Sequence, residues 1–323
     1  MAILKRWSAV EQMEGTLRKE LGLDMGLMQL EGGGMEGDAL TCRFGVLTLL
    51  RLQMERSLHS WGPKPAGQIT ICLDLDPRPQ RAALRSHGQE LPKACLFGLD
   101  PLRETHLTLP SPTSFCVVMV ESHALERWAA DLGWPDLNAA QAFRSNWLAI
   151  DPQRCEGLRR YLRQVFALAE QEPKRLQRAE TQRLVLEDLM PLLIEALVHG
   201  AGQTARLARA PARIELVKQA QRWMLEHPLE PITLAALCQE MHVSRRCLIQ
   251  GFREHLGMGP MAFLKLQRLH GVRRILIGAD PELQRIGPVA TEWGFLNPGH
   301  FARDYRQLFG ERPRETLQRR AAA

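Results

Sequence analysis

The chain has 323 residues, 45% of them apolar and 24% charged, an ordinary globular composition with length for about two domains. No run of about 18 apolar residues exists to span a membrane, and the opening residues, with Lys5 and Arg6 and no apolar stretch behind them, do not resemble a secretory signal; the cytoplasm is the expected compartment, without a membrane partner. The seven cysteines (42, 72, 95, 116, 155, 238 and 247) are odd in number and never spaced C-x-x-C, which suits neither a disulfide framework nor a zinc site.

Residues 1–37 predict a short amphipathic helix carrying Val10, Leu17 and Leu21, then a loop broken by Gly32, Gly33, Gly34 and Gly37. No Lys-Ser or Lys-Thr follows these glycines, so a plain loop is favoured over a phosphate cradle. Residues 38–122 read as short strands, with Val46, Thr48, Leu50 and Leu52 alternating in part and β-prone runs at 69–73 and 115–120. The prolines punctuating them point to a small antiparallel barrel or sandwich. Residues 123–200 turn helical. Leu158, Tyr161, Leu162, Val165 and Phe166 form one stripe; Leu184, Leu186, Leu189, Leu192, Leu193 and Leu197 form another, in a segment interrupted by Pro191. Packing inside the domain is favoured for both stripes, with pairing of two subunits as the alternative.

Residues 201–212 hold few large apolar side chains and are the linker candidate. From residue 213 to the end there are 17 Lys and Arg against 11 Asp and Glu, whereas residues 1–212 carry 25 of each. The whole +6 excess therefore lies in the last third, as in a polyanion-binding module attached to a neutral partner domain.

That last third predicts two helix-turn-helix units. Thr233 caps a first helix with Leu234, Leu237 and Cys238 inward; the chain breaks at Met241-His242-Val243; Ser244 caps a second helix with Leu248 and Phe252 inward, ended by Gly257. The second unit has Ile286, Val289 and Ala290, a turn at Gly294-Phe295, then Asn297 as cap, Pro298 at the first helical position and Phe301, Tyr305 and Leu308 inward, ended by Gly310. Between them, residues 259–278 would span about 30 Å as a helix, close to the roughly 34 Å of one DNA turn. The length suits two reading helices in successive major grooves.

The run Val289-Ala290-Thr291-Glu292-Trp293-Gly294-Phe295 with His300-Phe301-Ala302-Arg303-Asp304-Tyr305-Arg306-Gln307-Leu308-Phe309-Gly310-Glu311-Arg312-Pro313 resembles the C-terminal signature of the AraC/XylS family of bacterial helix-turn-helix transcription regulators. The resemblance covers about residues 213–318. It implies an α+β chain: a β-rich, barrel-like N-terminal domain with helices (1–200, effector-sensing or dimerising), a linker (201–212), and an all-α DNA-binding domain with two helix-turn-helix units (213–320). It also implies double-stranded DNA as partner, RNA polymerase as a second, and activation rather than repression; a small-molecule effector, a homodimer and a partner protein are the alternatives for the N-terminal domain, and no motif calls for a cofactor, metal or enzymatic activity.

In the first reading helix Ser244, Arg245, Arg246, Ile249, Gln250 and Arg253 face outward. The resemblance places Arg246, Ile249 and Gln250 at base-contact positions, where Arg suits guanine, Gln adenine and Ile a thymine methyl. In the second, Pro298, Gly299, Ala302 and Arg303 occupy the matching face and only Arg303 can read a base by hydrogen bonds; Asn297, His300 and Arg306 are candidates for phosphate. His242 stands where the family often has glycine, and Trp293 where smaller residues are common. Trp61, Arg51, Arg56 and Arg103 are weighed as liners of an N-terminal ligand cavity, with surface or core roles favoured for each. The rival to a specific regulator is a nonspecific nucleoid-type DNA binder, which the moderate charge disfavours; an enzyme lacks any supporting motif.

Overall fold

The computed structural model describes residues 2–137, 146–201 and 213–319; of the linker candidate 201–212, all but Ala201 lies outside them. The N-terminal part is two antiparallel sheets. One has seven strands in the order β1 (Ala2–Trp7), β3 (Gly37–Phe44), β4 (Leu47–Met54), β11 (Thr113–Glu121), β6 (Gln68–Asp74), β9 (Cys95–Phe97) and β12 (Trp147–Ala149). The other has five: β2 (Gly26–Gln29), β5 (Leu58–Gly62), β10 (Thr105–Leu109), β7 (Arg85–Ser86) and β8 (Gln89–Glu90).

The two sheets do not close into one barrel, so of the barrel and the sandwich the packing follows the sandwich. Alternation in the central strands separates two cores. Phe115, Val117 and Met119 of β11 face the second sheet, while Cys116, Val118 and Val120 face a helical layer. That layer is α2 (Ser122–Asp131), α3 (Pro152–Gln171) and α5 (Ala179–Ala201), with the single turn α4 (Pro173–Leu176) between the last two. A sheet covered on both faces needs apolar residues at consecutive positions, which is why 46–52 and 115–120 alternate only in part.

Helix α5 runs through Pro191 without ending there, contrary to the expected interruption. Leu189, Leu193 and Leu197 are buried in the helical core, whereas Leu184 and Leu192 are exposed. Helix α1 (Val10–Leu21) buries Val10, Met13 and Leu17, while Leu21 is only partly covered. All seven cysteines are free; six are buried and Cys247 is half-buried.

The C-terminal part comprises α6 (Ile214–Glu226), α7 (Leu234–Glu240), α8 (Arg245–Leu256), α9 (Pro260–Gly278), α10 (Ile286–Glu292), α11 (Pro298–Phe309) and α12 (Pro313–Arg319). It packs on the outer face of the five-stranded sheet. In β2, Leu27 points into the sandwich and Met28 into the core of the first helix-turn-helix unit. The glycine run is part of this seam: Gly33 N donates to Gln307 O at 2.9 Å, and a β-carbon on Gly32 would lie 2.7 Å from the same oxygen. Close backbone approach, not a phosphate, accounts for the missing side chain at Gly32.

Candidate nucleic-acid interface

Both helix-turn-helix units have the same local construction. In the first, Val243 N donates to Cys238 O and His242 N to Gln239 O; in the second, Phe295 N donates to Ala290 O and Gly294 N to Thr291 O. The turn residues are left-handed in both, with φ 52° at His242 and 83° at Gly294. The departure at His242 is thus a non-glycine residue in a conformation that favours glycine.

Side chains supply the caps. Ser244 Oγ accepts from Cys247 N at 3.3 Å and Asn297 Oδ1 from His300 N at 2.9 Å. Leu237, Leu248 and Phe252 pack against Val217, Met224 and Phe263 in one core. Val289, Phe301, Tyr305 and Leu308 pack against Leu269, Val272 and Leu276 in another. Helix α9 therefore belongs to both units and sets their separation. Trp293 is partly buried against it: a β-carbon on Gly271 would sit 1.9 Å from the Trp293 ring.

Burying those stripes turns the opposite faces to solvent. On α8, Arg245, Arg246, Gln250 and Arg253 are exposed and Ile249 is half-buried. Among the described residues, Arg245, Arg246 and Arg253 have no hydrogen-bond or ion-pair partner and are available to an incoming polyanion. Gln250 Nε2 donates to Glu254 Oε1 at 2.8 Å, and Glu254 pairs with Arg213 at 2.9 Å. Glu254 and Arg213 were not singled out from sequence, although the i,i+4 spacing of Gln250 and Glu254 was there to be read.

On α11, Gly299, His300, Ala302, Arg303 and Arg306 are all exposed, His300 included, so it is not a packed histidine. Arg303 lies 3.5 Å from Asp304, whose other oxygen holds Lys265 at 2.5 Å. Arg303, Arg306, Arg312 and Arg314 surround an open groove of about 820 Å³ whose floor includes Ala290 and Phe301. Each outward residue expected on the two reading helices therefore lies on a solvent face, except Ile249, which is half-covered.

The back of this domain is fastened to the sheets by buried polar groups that sequence reasoning did not find. Glu11 of α1 lies 3.3 Å from His270 Nδ1 and 3.2 Å from Arg273 Nε. Arg273 also pairs with Glu311 at 2.8 Å and stacks on Phe309. Burial alone would push Glu11 up, but the His270 hydrogen bond and the charges of His270 and Arg273 bring it below its ordinary value. Beside it, Glu14 pairs with Arg274, which also donates to Leu27 O.

At the other end of the seam, His106 Nε2 and Gln221 Oε1 are 2.9 Å apart, and Gln221 Nε2 and His59 Nε2 are 3.2 Å apart. With Leu107 O at 3.0 Å from His59 Nδ1, the network is satisfied when His59 carries its proton on Nδ1 and His106 on Nε2. Burial lowers both rings, His106 to about 4, so both are neutral at pH 7. These partners are separated by 115 and 162 positions, beyond any periodicity argument.

A helix-turn-helix domain model matches residues 237–319. The probable thc operon regulatory protein of Rhodococcus erythropolis is 33% identical over 220 residues, 65% of this chain and 62% of that protein's length; the chain thus spans less than two thirds of it. The XylDLEGF operon transcriptional activator of Pseudomonas putida is 26% identical over 297 residues, 90% of this chain and 88% of that one. The crystal structure of the AraC-like transcriptional activator CuxR overlaps 84% of this chain and 94% of its own at 13% identity, with a TM-score of 0.44.

Proposed function

We propose that the chain is a member of the AraC/XylS family of bacterial transcription regulators and, on that premise, a sequence-specific DNA-binding regulator, an activator that answers an effector held in its N-terminal domain. One observation carries the reading of bases: two equivalent turns, fixed by capped helices on a shared α9, leave one outward face on each reading helix.

On the first helix, Arg246 pairs with guanine, Gln250 with adenine and Ile249 meets a thymine methyl, with Ser244, Arg245 and Arg253 on phosphate. On the second, Arg303 alone reads a base, and Asn297, Gly299, His300, Ala302 and Arg306 position the backbone. Residues 1–200 form the effector-sensing or dimerising part, 201–212 the linker and 213–320 the DNA-binding part. RNA polymerase is the partner in activation, and a second copy of the chain is the candidate partner of exposed Leu184 and Leu192 on α5. No helix among the described residues is long and apolar enough to cross a membrane.

Selection of duplexes from a random pool tests this. The expected motif has two halves about one to two helical turns apart, the half under α8 more sharply defined. Arg246→Ala should relax one position of that half and cost about 1–3 kcal/mol. Binding without sequence preference, falling steeply with salt and indifferent to Arg246→Ala, is the outcome of the nonspecific alternative.

A further inference from the structure

Helix α8 is to meet a polyanion, yet it carries an acid. Of its twelve residues only Glu254 is a carboxylate. It is exposed and lies one turn beyond Gln250, on the same face of the helix. A carboxylate in that place repels phosphate, so its presence calls for a reason.

The contacts supply one. Glu254 Oε1 accepts from Gln250 Nε2 at 2.8 Å, and Arg213 Nη1 reaches both carboxylate oxygens, at 2.9 and 3.0 Å. The Arg213 hydrogen bond first, and then that of Gln250, hold the Glu254 carboxyl below its ordinary range. It is therefore ionised at neutral pH and can only accept. The Gln250 amide must face it with Nε2, because a flipped amide would set oxygen against oxygen.

The fold places Arg213 and Glu254 for this contact. Arg213 caps the start of α6, and its stem passes α8 at Gly251, where a β-carbon would lie 3.4 Å from Arg213 Cβ. The backbone of Glu254 is fixed separately: Arg85 of β7 donates to its carbonyl at 2.6 Å, and the other terminal nitrogen of Arg85 is held by Glu90 at 2.6 Å. That carbonyl is among the last four of the helix, which no intrahelical N–H satisfies.

We propose that Glu254, braced by Arg213, is a positioning residue that sets the base preference of Gln250. Adenine gives a proton from N6 and accepts at N7, so it pairs with an amide that presents its oxygen and one N–H. Guanine offers two acceptors, O6 and N7, and suits an amide turned to lead with its nitrogen. With one N–H on Glu254, Gln250 keeps its oxygen and its second N–H for the base, which is the pattern adenine needs. A lone exposed pair at i,i+4 favours its bonded form only about twofold, so the brace matters. Arg213 fixes the carboxylate and offsets its charge, and DNA covering this face removes the water that competes for the bond. The proposal rests on the assignment of Gln250 to a base and names what orients it.

The test is duplex selection followed by affinity measurement on the full chain, for the parent, Gln250→Ala, Glu254→Ala and Arg213→Met. Gln250→Ala identifies the position that Gln250 reads, by flattening it. There the parent should prefer adenine to guanine about tenfold or more. Glu254→Ala and Arg213→Met should each lower that ratio about threefold or more, chiefly by admitting guanine, and leave the rest of the motif sharp. Their effects on affinity for all sequences run in opposite directions. The first removes a negative charge from the DNA face and tightens binding generally; the second removes a positive one and weakens it. A loss of preference shared by both therefore reports the amide and not the charge. Should one variant fail to fold, the other decides. An intact adenine ratio in either folded variant, or a parent that prefers guanine at that position, overturns the proposal and leaves Gln250 as a base contact. If Gln250→Ala flattens no position while the rest of the motif stays sharp, the base assignment of Gln250 falls and this proposal with it, and the regulator reading stands.

Discussion

Glu11→Ala separates the structural claim about the seam from every claim about DNA. The carboxylate is 8% exposed at its side chain and serves both His270 and Arg273. Removing one partner of a buried pair leaves the other charge uncompensated, at about 3–5 kcal/mol. Arg273 keeps Glu311 at 2.8 Å and the Phe309 ring, so the low end, about 3 kcal/mol, is expected. Urea unfolding of the full chain followed by tryptophan fluorescence reads this as a lower midpoint, and hydrogen exchange should show faster opening at Leu27–Gln29 and along α9. Adding Arg273→Met removes the stranded cation, and the double variant should recover part of the loss, a coupling visible in a double-mutant cycle. A single variant within about 0.5 kcal/mol of the parent, as for an ordinary surface change, would refute the view that this cluster fastens α1 to α9.

Gly271→Ala forces a methyl onto the Trp293 ring and should cost about 1–3 kcal/mol by overpacking, with Trp293→Leu in the same chain restoring much of it; an unchanged thermal midpoint contradicts that packing. His242→Gly relieves a left-handed non-glycine residue and should raise stability by up to about 1 kcal/mol, less the extra freedom of glycine in the unfolded chain; a lower midpoint contradicts it. The neutral seam histidines give a pH dependence. His59 and His106 are depressed in the fold, so the unfolded chain takes up protons first, from about pH 6.5. Their contribution is complete above that pH and is lost as pH falls toward the folded value of about 4 at His106. Stability should fall between pH 7 and 5, and less so in His106→Gln; the same fall in both would exclude this histidine as its source.

Local chemistry made the DNA-binding part readable. Ser244, Asn297, Gly257 and Gly310 act over three or four residues, and a stripe such as Leu248–Phe252 repeats at the helical period, so caps, turns and outward faces follow from sequence alone. The sandwich was half-legible. Its central strands are buried on both faces, which removes the period-two signal, and β1, β2 and β12 are short or lie in segments read as helix or loop. The seam left no local trace: Glu11 meets Arg273 and Gly33 meets Gln307 only because two layers far apart in sequence pack together.

The most direct test of the central claim is genome-wide occupancy of the tagged chain, compared with Arg246→Ala/Gln250→Ala in the same host. A few sharp sites sharing a split motif, lost in the double variant while the protein stays folded and abundant, are what base reading by α8 predicts. Diffuse occupancy, unchanged by the two substitutions, would contradict it.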